Sequence, residues 1–510
     1  MSIFEIIEKD GAGRIGRLKT AHGIVETPTV MPVINPNINL IKPSEMREFG
    51  AEMLITNSYI IYSHEDLREK ALSLGVHGLL DFDGPVMTDS GSFQLSVYGD
   101  IRVSNSEIID FQMKIKTDIG VPLDVPTPPD VSYEVAEKEL ELTNERIAEA
   151  RRIVPKYSDF IKSSESCQML LAGPVQGSLY DDLRVKSGNF VRELGCDVFP
   201  IGAVVPLMSN YRYSDLVDVI VSSKKGLGPS VPVHLFGAGH PMMFALAVSL
   251  GCDLFDSAAY ALYAKNDRYI TVNGTYPLDR LKHLPCSCPI CMQNTADSIR
   301  KSENKEELLS RHNLYVTFEE IRRIKQAISE GRLLELVELR CHSHPRMLDA
   351  LYALKKHGAW MEKYDTATKS TFLDCGTFSS HRPEVIRFRN RLERFTVSGT
   401  SIIRSGKTSI DRNFDNLFSF KPPFGAYPSE LDGNYPFNAE VSLNQDEDVI
   451  ETAISNTIHL IKQNPDAEFT FVKSKQLRFI PECFFNELSE ICKIIDKVEQ
   501  DTVNEFENNI

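Results

Sequence analysis

The densest group of metal-binding side chains in this sequence is the run Pro285-Cys-Ser-Cys-Pro-Ile-Cys291. Three thiolates so close together can bind one Zn²⁺, and an imidazole can complete the tetrahedral shell. His283 and His312 are both candidates, and we favour His312 because it begins a His-Asn-Leu-Tyr run that leads into a predicted helix. A Cys3His shell leaves no position for water, so we expect a structural zinc and a reaction centre elsewhere. The alternative interpretation is three unrelated cysteines in a turn.

Three aspartates have the chemistry of a reaction centre, because each lies at the end of a short apolar run: Asp89, Asp124 and Asp256. Two carboxylates about 5 Å apart at an anomeric carbon carry out a retaining glycosyl transfer, one as nucleophile and the other as acid and base. Each aspartate also has an ordinary interpretation, as a turn, a loop carboxylate before prolines or a helix cap. Their recurrence at successive strand ends favours function.

Other groups near the same strand ends suit the recognition of a flat heterocycle. Gln176 and Gly177 follow the fifth apolar run, and residues 202–205 follow the sixth. The ring of Phe93 can stack on a base. A small residue such as Ala203 lets backbone N–H and C=O groups reach the edge of that base.

Eight short apolar runs separated by segments long enough for helices predict a TIM (β/α)8 barrel of the α/β class. A doubly wound sheet remains the alternative at this point, although no glycine-rich dinucleotide motif follows the first run. The runs span residues 27–33, 53–59, 85–91, 119–125, 167–176, 198–205, 231–238 and 252–258.

The pattern changes after residue 265, so we divide the chain into three parts. Residues 1–345 are predicted to be the barrel domain with an inserted zinc subdomain at about 265–345, followed by a helical, basic extension at 346–420 and a small acidic α+β domain at 421–510. Helices are predicted at 133–153, 211–223, 317–339, 345–363, 447–463 and 484–498.

The net charge of −15 is unevenly distributed. From Lys421 onward, seven Lys or Arg face seventeen Asp or Glu, so most of the acidity belongs to the last part of the chain. A basic cluster precedes it, which can either track phosphates or form a solvated basic strand pair. Its members are Arg382, Arg387, Arg389, Arg391, Arg394, Arg404, Lys407 and Arg412.

Cysteine usage and hydropathy favour a cytoplasmic protein. The seven cysteines outside the cluster are scattered and show no paired spacing, which is typical of a reducing compartment. The amino terminus lacks the layout of a signal peptide, and nowhere do eighteen apolar residues run together, so we expect no membrane partner.

Four motifs together resemble the tRNA-guanine transglycosylases: Thr88-Asp-Ser-Gly-Ser-Phe-Gln94, Pro174-Val-Gln-Gly177, Leu254-Phe-Asp-Ser257 and Cys286-Ser-Cys-Pro-Ile-Cys291. The resemblance covers about residues 10–345, and the runs 121–131 and 201–207 are similar to the archaeal branch. That branch replaces guanine at position 15 of the tRNA D-loop with 7-cyano-7-deazaguanine (preQ0) on the way to archaeosine. The resemblance therefore implies a pentosyltransferase whose partners are tRNA and guanine or preQ0.

The resemblance also implies residue roles. Asp256 would attack the ribose C1′ and Asp89 would act as general acid and base, although these two labels have been exchanged in descriptions of the family. Asp124 would receive donors from the Watson–Crick edge of the base, Ser90 and Gln176 would add hydrogen bonds, and Ala203 and Val204 would offer backbone groups opposite Phe93. The zinc ligands would be Cys286, Cys288, Cys291 and His312.

One difference from the family concerns the part of the protein that binds tRNA. Longer archaeal members end in a basic RNA-binding (PUA) module, whereas the last residues here are acidic. We therefore expect a separately encoded PUA-type protein or a homodimer to supply the contact. The rival functions are a paralogue that modifies the inserted base and a non-catalytic tRNA-binding subunit; a metal hydrolase would require His and carboxylate ligands at the strand ends, and the sequence offers no such cluster.

Overall fold

A computed structural model describes residues 2–38, 40–92, 103–156, 169–405, 411–442, 444–473 and 482–496. The strands are β1 (Phe4–Asp10), β2 (Gly13–Thr20), β3 (Gly23–Thr27), β4 (Thr29–Ile34), β5 (Leu54–Asn57), β6 (Val86–Asp89), β7 (Ile119–Gly120), β8 (Leu170–Leu171), β9 (Phe199–Ile201), β10 (Val233–Leu235), β11 (Leu254–Ser257), β12 (Arg268–Thr271), β13 (Gly274–Pro277), β14 (Gly399–Arg404), β15 (Asn416–Lys421), β16 (Gly425–Pro428), β17 (Ala467–Lys473) and β18 (Lys493–Asp496).

Strands β4 to β11 form one parallel sheet in the order β8-β7-β6-β5-β4-β11-β10-β9. Its two outer strands are joined by parallel bridges that pair Ala172 with Val198 and Val175 with Ile201. The N–H of Val175 also donates to the carbonyl of Pro200 at 2.7 Å. The sheet therefore closes with its strands in chain order, which confirms the predicted TIM barrel and rules out the doubly wound alternative.

Helices connect most of the barrel strands. They are α1 (Met46–Phe49), α2 (Ser58–Ser63), α3 (Glu65–Leu80), α4 (Asn105–Lys114), α5 (Tyr133–Ile153), α6 (Asp181–Leu194), α7 (Val205–Ser209), α8 (Tyr213–Leu227), α9 (Phe244–Ser249), α10 (Ala259–Lys265), α11 (Pro289–Gln293), α12 (Ala296–Lys301), α13 (Lys305–Glu330), α14 (Leu333–Cys341), α15 (Pro345–Leu354), α16 (Gly358–Tyr364), α17 (Pro383–Arg389), α18 (Glu447–Lys462) and α19 (Glu482–Ile491).

The helix predictions are correct where the apolar periodicity is strong and wrong where a helix ends inside the predicted stretch. Helix α5 has the predicted bounds because Ala136, Leu140 and Ile147 recur on one buried face. The stretch predicted at 317–339 is two helices, since Gly331 adopts φ 71° at the end of α13. The helix predicted at 484–498 is wrong in its second half: α19 ends at Ile491 and β18 follows.

The antiparallel sheet β1-β2-β3 covers the amino-terminal end of the barrel. Phe4, Leu18 and Val25 from this sheet share a hydrophobic cluster with barrel residues such as Met31 and Leu254. This packing closes one end of the barrel, while the carboxyl ends of the strands are at the opposite end.

The chain divides into two compact units, residues 1–354 and 355–510. The second unit has a five-stranded sheet in the order β16-β15-β14-β17-β18, in which β15 and β16 are antiparallel and the other pairs are parallel. Strand β14 precedes the predicted boundary at residue 421 and β15 ends at that residue, yet both belong to this sheet. The small α+β domain predicted after the barrel is therefore present, and its exact division from the rest of the chain stays a prediction.

The second unit also separates the basic cluster into two groups. Arg382, Arg387 and Arg404 are buried and ion-paired. Arg389, Arg391, Arg394 and Arg412 are exposed, and Lys407 lies outside the described residues.

Candidate active site

Asp256 is held at the carboxyl end of β11 by two donors. His234 Nε2, from the neighbouring strand β10, lies 2.7 Å from Asp256 Oδ1, and the N–H of Gly237 donates to the same oxygen at 2.6 Å. Gly237 adopts φ 66°, which lets the loop after β10 turn its amide toward the carboxylate. Among the described residues, both hydrogen bonds fall on Oδ1, so Oδ2 is the oxygen available to react.

His234 is hydrogen-bonded through one ring nitrogen. The side chain is 0 % exposed, and within the described part of the chain its Nδ1 has no hydrogen-bond partner. Nε2 is therefore the nitrogen that donates to Asp256, and this hydrogen bond fixes one carboxylate oxygen.

Asp89 is the last residue of β6 and the second carboxylate of the site. The amide of Asn57, at the end of β5, donates to Asp89 Oδ2 at 3.2 Å. Burial, together with the charges of Asp124 and Asp256, raises the pKa of Asp89 to about 7, although hydrogen bonds from the backbone amides of Ser90 and Gly91 oppose the rise. A carboxyl group with a pKa near 7 can both release and accept a proton at neutral pH.

The third carboxylate, Asp124, is buried beside an amide. Gln176 Nε2 donates to Asp124 Oδ2 at 2.5 Å, while Gln176 Oε1 is buried without a hydrogen-bond partner among the described residues. Burial raises the pKa of Asp124, and hydrogen bonds from Ser92 and Gln176 oppose this rise. The pair offers a carboxylate and an unpaired carbonyl oxygen to a ligand that has N–H donors.

Ser90 lies one step behind this pair. Its hydroxyl donates to the carbonyl of Pro122 at 3.1 Å and lies 3.0 Å from the hydroxyl of Ser92. Ser92 in turn accepts the N–H of Asp124 at 3.0 Å. In this structure Ser90 therefore supports the loop that carries Asp124.

The loop after β9 brings backbone groups next to Gln176. A Cβ on Gly202 would lie 2.2 Å from Gln176 Nε2, so only glycine fits there without moving the amide. Ala203 adopts φ 60°, and the carbonyl of Val204 accepts the N–H of Leu207 at 3.0 Å in the first turn of α7. Among the described residues, the carbonyl of Val204 is thus already hydrogen-bonded, which leaves its N–H as the backbone group for a ligand.

Phe93, predicted to stack on the base, lies outside the described residues. Apart from Phe93, the predicted side chains are all located at the carboxyl ends of neighbouring barrel strands. Sequence reasoning missed Asn57, Ser92, His234 and Gly237. The available signal for His234 was a polar side chain within an apolar run. The other site residues were predicted because polar side chains near the carboxyl ends of barrel strands form one site.

The cysteine cluster brings all four predicted ligands together. Cys286, Cys288, Cys291 and His312 place their ligand atoms within 4.8 Å of one another, and His312 Nδ1 lies 3.4 Å from Sγ of both Cys288 and Cys291. Sulfur and nitrogen ligands of one Zn²⁺ at a tetrahedral angle are roughly 3.6 Å apart. The residues therefore fit a metal ion, whereas His283 is exposed and outside the group.

Neighbouring groups orient this donor set. His312 Nε2 lies 3.0 Å from the carbonyl of Ile270, which directs Nδ1 toward the thiols. The ring of Tyr269 stacks on His312 at 3.7 Å, and its hydroxyl lies 3.2 Å from Cys291 Sγ. The three cysteines lie in and just before α11, and His312 lies on α13, so a metal here would join these two segments. The β12–β13 hairpin supplies the neighbouring Tyr269 and Ile270.

A TIM barrel with carboxylates clustered at the carboxyl ends of its strands, and a separate Cys3His group, defines an enzyme that uses acid–base or covalent chemistry at those strand ends. Residues 9–346 match the sequence model of the queuine tRNA-ribosyltransferase (TGT) family. The chain belongs to this family.

Several similar proteins are named tRNA-guanine(15) transglycosylase. The one from Methanosarcina acetivorans is 61 % identical over 475 residues, covering 93 % of this chain and 95 % of the relative. The one from Haloferax volcanii is 50 % identical, covering 92 % and 89 %. The one from Methanocaldococcus jannaschii is 48 % identical, covering 85 % of this chain and 68 % of the relative.

Within the described residues, no helix has the length and apolar character needed to cross a membrane.

Proposed function

We propose that this chain exchanges the guanine at position 15 of tRNA for 7-cyano-7-deazaguanine through a covalent glycosyl-enzyme, as a step of archaeosine biosynthesis. Membership of the TGT family and the shared name of relatives that cover most of the chain support the reaction. The observation that carries the mechanism is the pairing of Asp256, fixed through one oxygen, with Asp89, whose pKa is about 7.

In the first half-reaction, Asp256 Oδ2 attacks C1′ of the flipped nucleotide and the C1′–N9 bond breaks. The electron pair of that bond goes to guanine, and protonated Asp89 donates its proton to the leaving base. His234 and Gly237 hold the other carboxylate oxygen, so Asp256 meets C1′ in a fixed orientation. The product is a ribosyl ester on Asp256 and free guanine.

In the second half-reaction, ionised Asp89 takes the N9 proton of the incoming base. The N9 atom of the base then attacks C1′, forms the new glycosidic bond and displaces the carboxylate of Asp256. Asp89 is protonated again because it holds the proton taken from N9. One glycosidic bond is broken and one is formed, so the exchange needs no external energy source. The configuration at C1′ is retained because it is inverted twice.

Base recognition falls to Asp124, Gln176 and the loop after β9. The N–H donors on the Watson–Crick edge of guanine or preQ0 match the carboxylate of Asp124 and the unpaired Oε1 of Gln176. A base without those donors would leave Gln176 Oε1 buried and unpaired and would give Asp124 no partner beyond Gln176 Nε2, and an unsatisfied buried acceptor costs about 1–3 kcal/mol. In this proposal Phe93 stacks on the base, and Ser90 acts through the Asp124 loop.

We assign Zn²⁺ to Cys286, Cys288, Cys291 and His312, one ion for each chain. All four positions of its shell would be filled by protein, so its contribution is to the stability of the subdomain. In this proposal the reaction takes place in the cytoplasm. We also propose that a second copy of the chain in a homodimer, or a PUA-type partner protein, supplies an additional contact with tRNA.

The test is incorporation of labelled guanine and, separately, of preQ0 into unfractionated archaeal tRNA by the wild-type chain and by Asp256→Asn. We expect label with the wild type and none with the variant, and a denaturation-resistant tRNA adduct with the wild type alone. Full incorporation by Asp256→Asn would refute the nucleophile assignment.

A wild-type chain that incorporates nothing would be mixed with a PUA-type RNA-binding protein and assayed again. Recovery would assign the missing contact to that protein. Continued inactivity, together with modification of tRNA that already contains preQ0, would support the paralogue instead.

A further inference from the structure

Two imidazoles and a carboxylate meet at the end of the barrel opposite the candidate active site. His22 is in the turn between β2 and β3, His77 is on α3, and Asp118 directly precedes β7. His22 Nδ1 lies 3.0 Å from Asp118 Oδ1, and His77 Nε2 lies 2.9 Å from Asp118 Oδ2. The three ligand atoms are within 4.8 Å of one another.

Asp118 is one of three aspartates that occupy equivalent places in the barrel. Each precedes a barrel strand, and each side chain accepts a backbone N–H from the strand next to it at 2.7–2.9 Å. The three pairs are Asp118 with Val86, Asp197 with Leu171, and Asp253 with Val233.

The cations that face these aspartates differ. Arg14 forms a two-pronged pair with Asp253 at 2.8 and 2.6 Å, and Arg151 lies 3.4 Å from Asp197. A guanidinium is a permanent cation that cannot ligate a metal ion, whereas an imidazole is a common metal ligand. Within the described ranges, the ion-pairing partners of the fully buried Asp118 are His22 and His77. A divalent cation would supply the charge that arginine supplies at the other two sites.

The geometry suits such an ion. The two imidazole rings stack with centroids 3.7 Å apart and an interplanar angle of 28°, and each ring places one nitrogen next to a different oxygen of the Asp118 carboxylate. Each ring has a second nitrogen that can carry the proton, which allows both to present a lone pair at once. Ligands of one Zn²⁺ are roughly 3.4 Å apart at a tetrahedral angle, so the observed distances need to widen by about half an ångström.

The groups around the three residues also resemble the surroundings of known protein metal sites, in which hydrogen bonds orient the ligands. The N–H groups of His22 and Val86 each donate to Asp118 at 2.9 Å and fix the carboxylate. The side chain of His22 is 30 % exposed and that of His77 is 14 % exposed, which leaves a path for the ion and for a water as fourth ligand.

We propose that His22, His77 and Asp118 bind a divalent transition-metal ion that fastens the amino-terminal sheet to the base of the barrel. The ligands come from the β2–β3 turn, helix α3 and the start of β7, so one ion would connect three elements that are far apart in sequence. Its role is structural, because the amino-terminal end of a TIM barrel contributes to stability and the chemistry lies at the other end.

Cobalt(II) distinguishes this site from the cysteine site. After removal of metal, the full chain would be titrated with Co²⁺ while the visible and near-ultraviolet spectrum is recorded. The cysteine site gives thiolate-to-cobalt charge-transfer bands, and a site made of two imidazoles and a carboxylate gives only weaker d–d bands. We expect two equivalents of cobalt to bind, one with each spectrum.

The variant that tests the assignment is His22→Gln/His77→Gln, which leaves the buried aspartate and its backbone bonds in place. We expect it to lose the equivalent without charge-transfer bands and to keep the thiolate bands, which also report that the chain is folded. His283→Gln, at an exposed histidine, is the matched control and should bind two equivalents.

Either of two results would overturn the proposal. One is a wild-type chain that saturates with a single equivalent of cobalt. The other is a double variant that binds as much metal, as tightly in competition with a chelator, as the wild type. In both cases His22 and His77 would serve Asp118 as hydrogen-bond donors without a metal.

Discussion

His234 Nε2 and Asp256 Oδ1 are 2.7 Å apart, and the imidazole is fully buried behind the carboxylate. The histidine cannot reach a ribose in front of Asp256, so we interpret it as a positioning residue. It fixes which oxygen of Asp256 faces the substrate.

Replacing His234 by Phe should slow the exchange with little change in affinity for tRNA. The phenyl ring fills the space but donates no hydrogen bond, and a bond to a charged group contributes about 1.5–3 kcal/mol. We expect kcat to fall roughly 10- to 100-fold at nearly constant KM. Steady-state incorporation of labelled guanine measures both.

His234→Gln is the matched variant for this prediction, because its amide can place a donor near the former Nε2. It should retain more activity than His234→Phe. Equal activity in the two variants, or a loss confined to KM, would contradict the positioning role.

The first half-reaction should slow as the pH rises above about 7. Burial, together with the charges of Asp124 and Asp256, raises the pKa of Asp89 to about 7, and the acid that protonates the leaving base is its neutral form. Single-turnover release of guanine, measured without an incoming base, should fall about tenfold for each pH unit above that value. In Asp89→Asn, guanine release should be slow, and its rate should not decrease with pH above 7.

The same raised pKa has a consequence for stability that does not depend on activity. The folded chain holds this proton at pH values where the unfolded chain has released it, so the contribution of Asp89 to stability falls as the pH rises from about 4 to about 7. Relative to wild type, Asp89→Asn should gain thermal stability over this range. A Tm difference that is independent of pH would show that the proton is not held.

Gly202→Ala should weaken binding of the base. Its new Cβ would lie 2.2 Å from Gln176 Nε2, so the amide must move away from Asp124. We expect KM for the incoming base to rise about tenfold, as after Gln176→Ala, with a smaller effect on kcat. Gly433→Ala, where no atom lies within 4 Å of the new Cβ, is the control. If the double variant Gly202→Ala/Gln176→Ala binds the base no more weakly than Gly202→Ala alone, both changes act through the same contact.

Cys286→Ser should lose the metal of the cysteine site and lower thermal stability while leaving the active-site carboxylates in place. Structural zinc sites contribute directly to folding, and a metal held by this group would join the segment 286–291 to α13. The measurements are metal content by mass spectrometry and Tm. Cys375→Ser, at an exposed cysteine, should change neither. An unchanged Tm in the metal-free Cys286→Ser chain would exclude the structural role.

The exposed arginines of the second unit should contact tRNA phosphates. Replacing Arg389, Arg391 and Arg394 by Gln should weaken tRNA binding and lower the slope of its salt dependence by about two to three. Binding measured by filter retention over a range of KCl concentrations gives both quantities. Arg323→Gln, an exposed arginine paired with Glu319 on α13, serves as control. An unchanged salt slope would favour the solvated-surface interpretation.

The sequence by itself determined the barrel, the Cys3His group and the carboxylates of the site. These features depend on local patterns: alternating apolar runs and helices predict a parallel barrel, the cysteine spacing suits one metal ion, and aspartates that end such runs must meet at one end of the sheet. The identities of Asp89, Asp124 and Asp256 were readable for this reason. The bounds of α5 were readable because one face of a long helix is apolar.

Only the tertiary structure decided which groups support those residues. The contacts of His234 with Asp256 and of Asn57 with Asp89 join neighbouring strands that are distant in sequence, and no local pattern encodes them. The same holds for His22, His77 and Asp118, which come from a turn, a helix and a strand start. The pKa of Asp89 is likewise a tertiary property, because burial and the charges of two other strand ends produce it. Spacing along a chain fixes residues on one element, whereas contacts between elements depend on how the barrel closes.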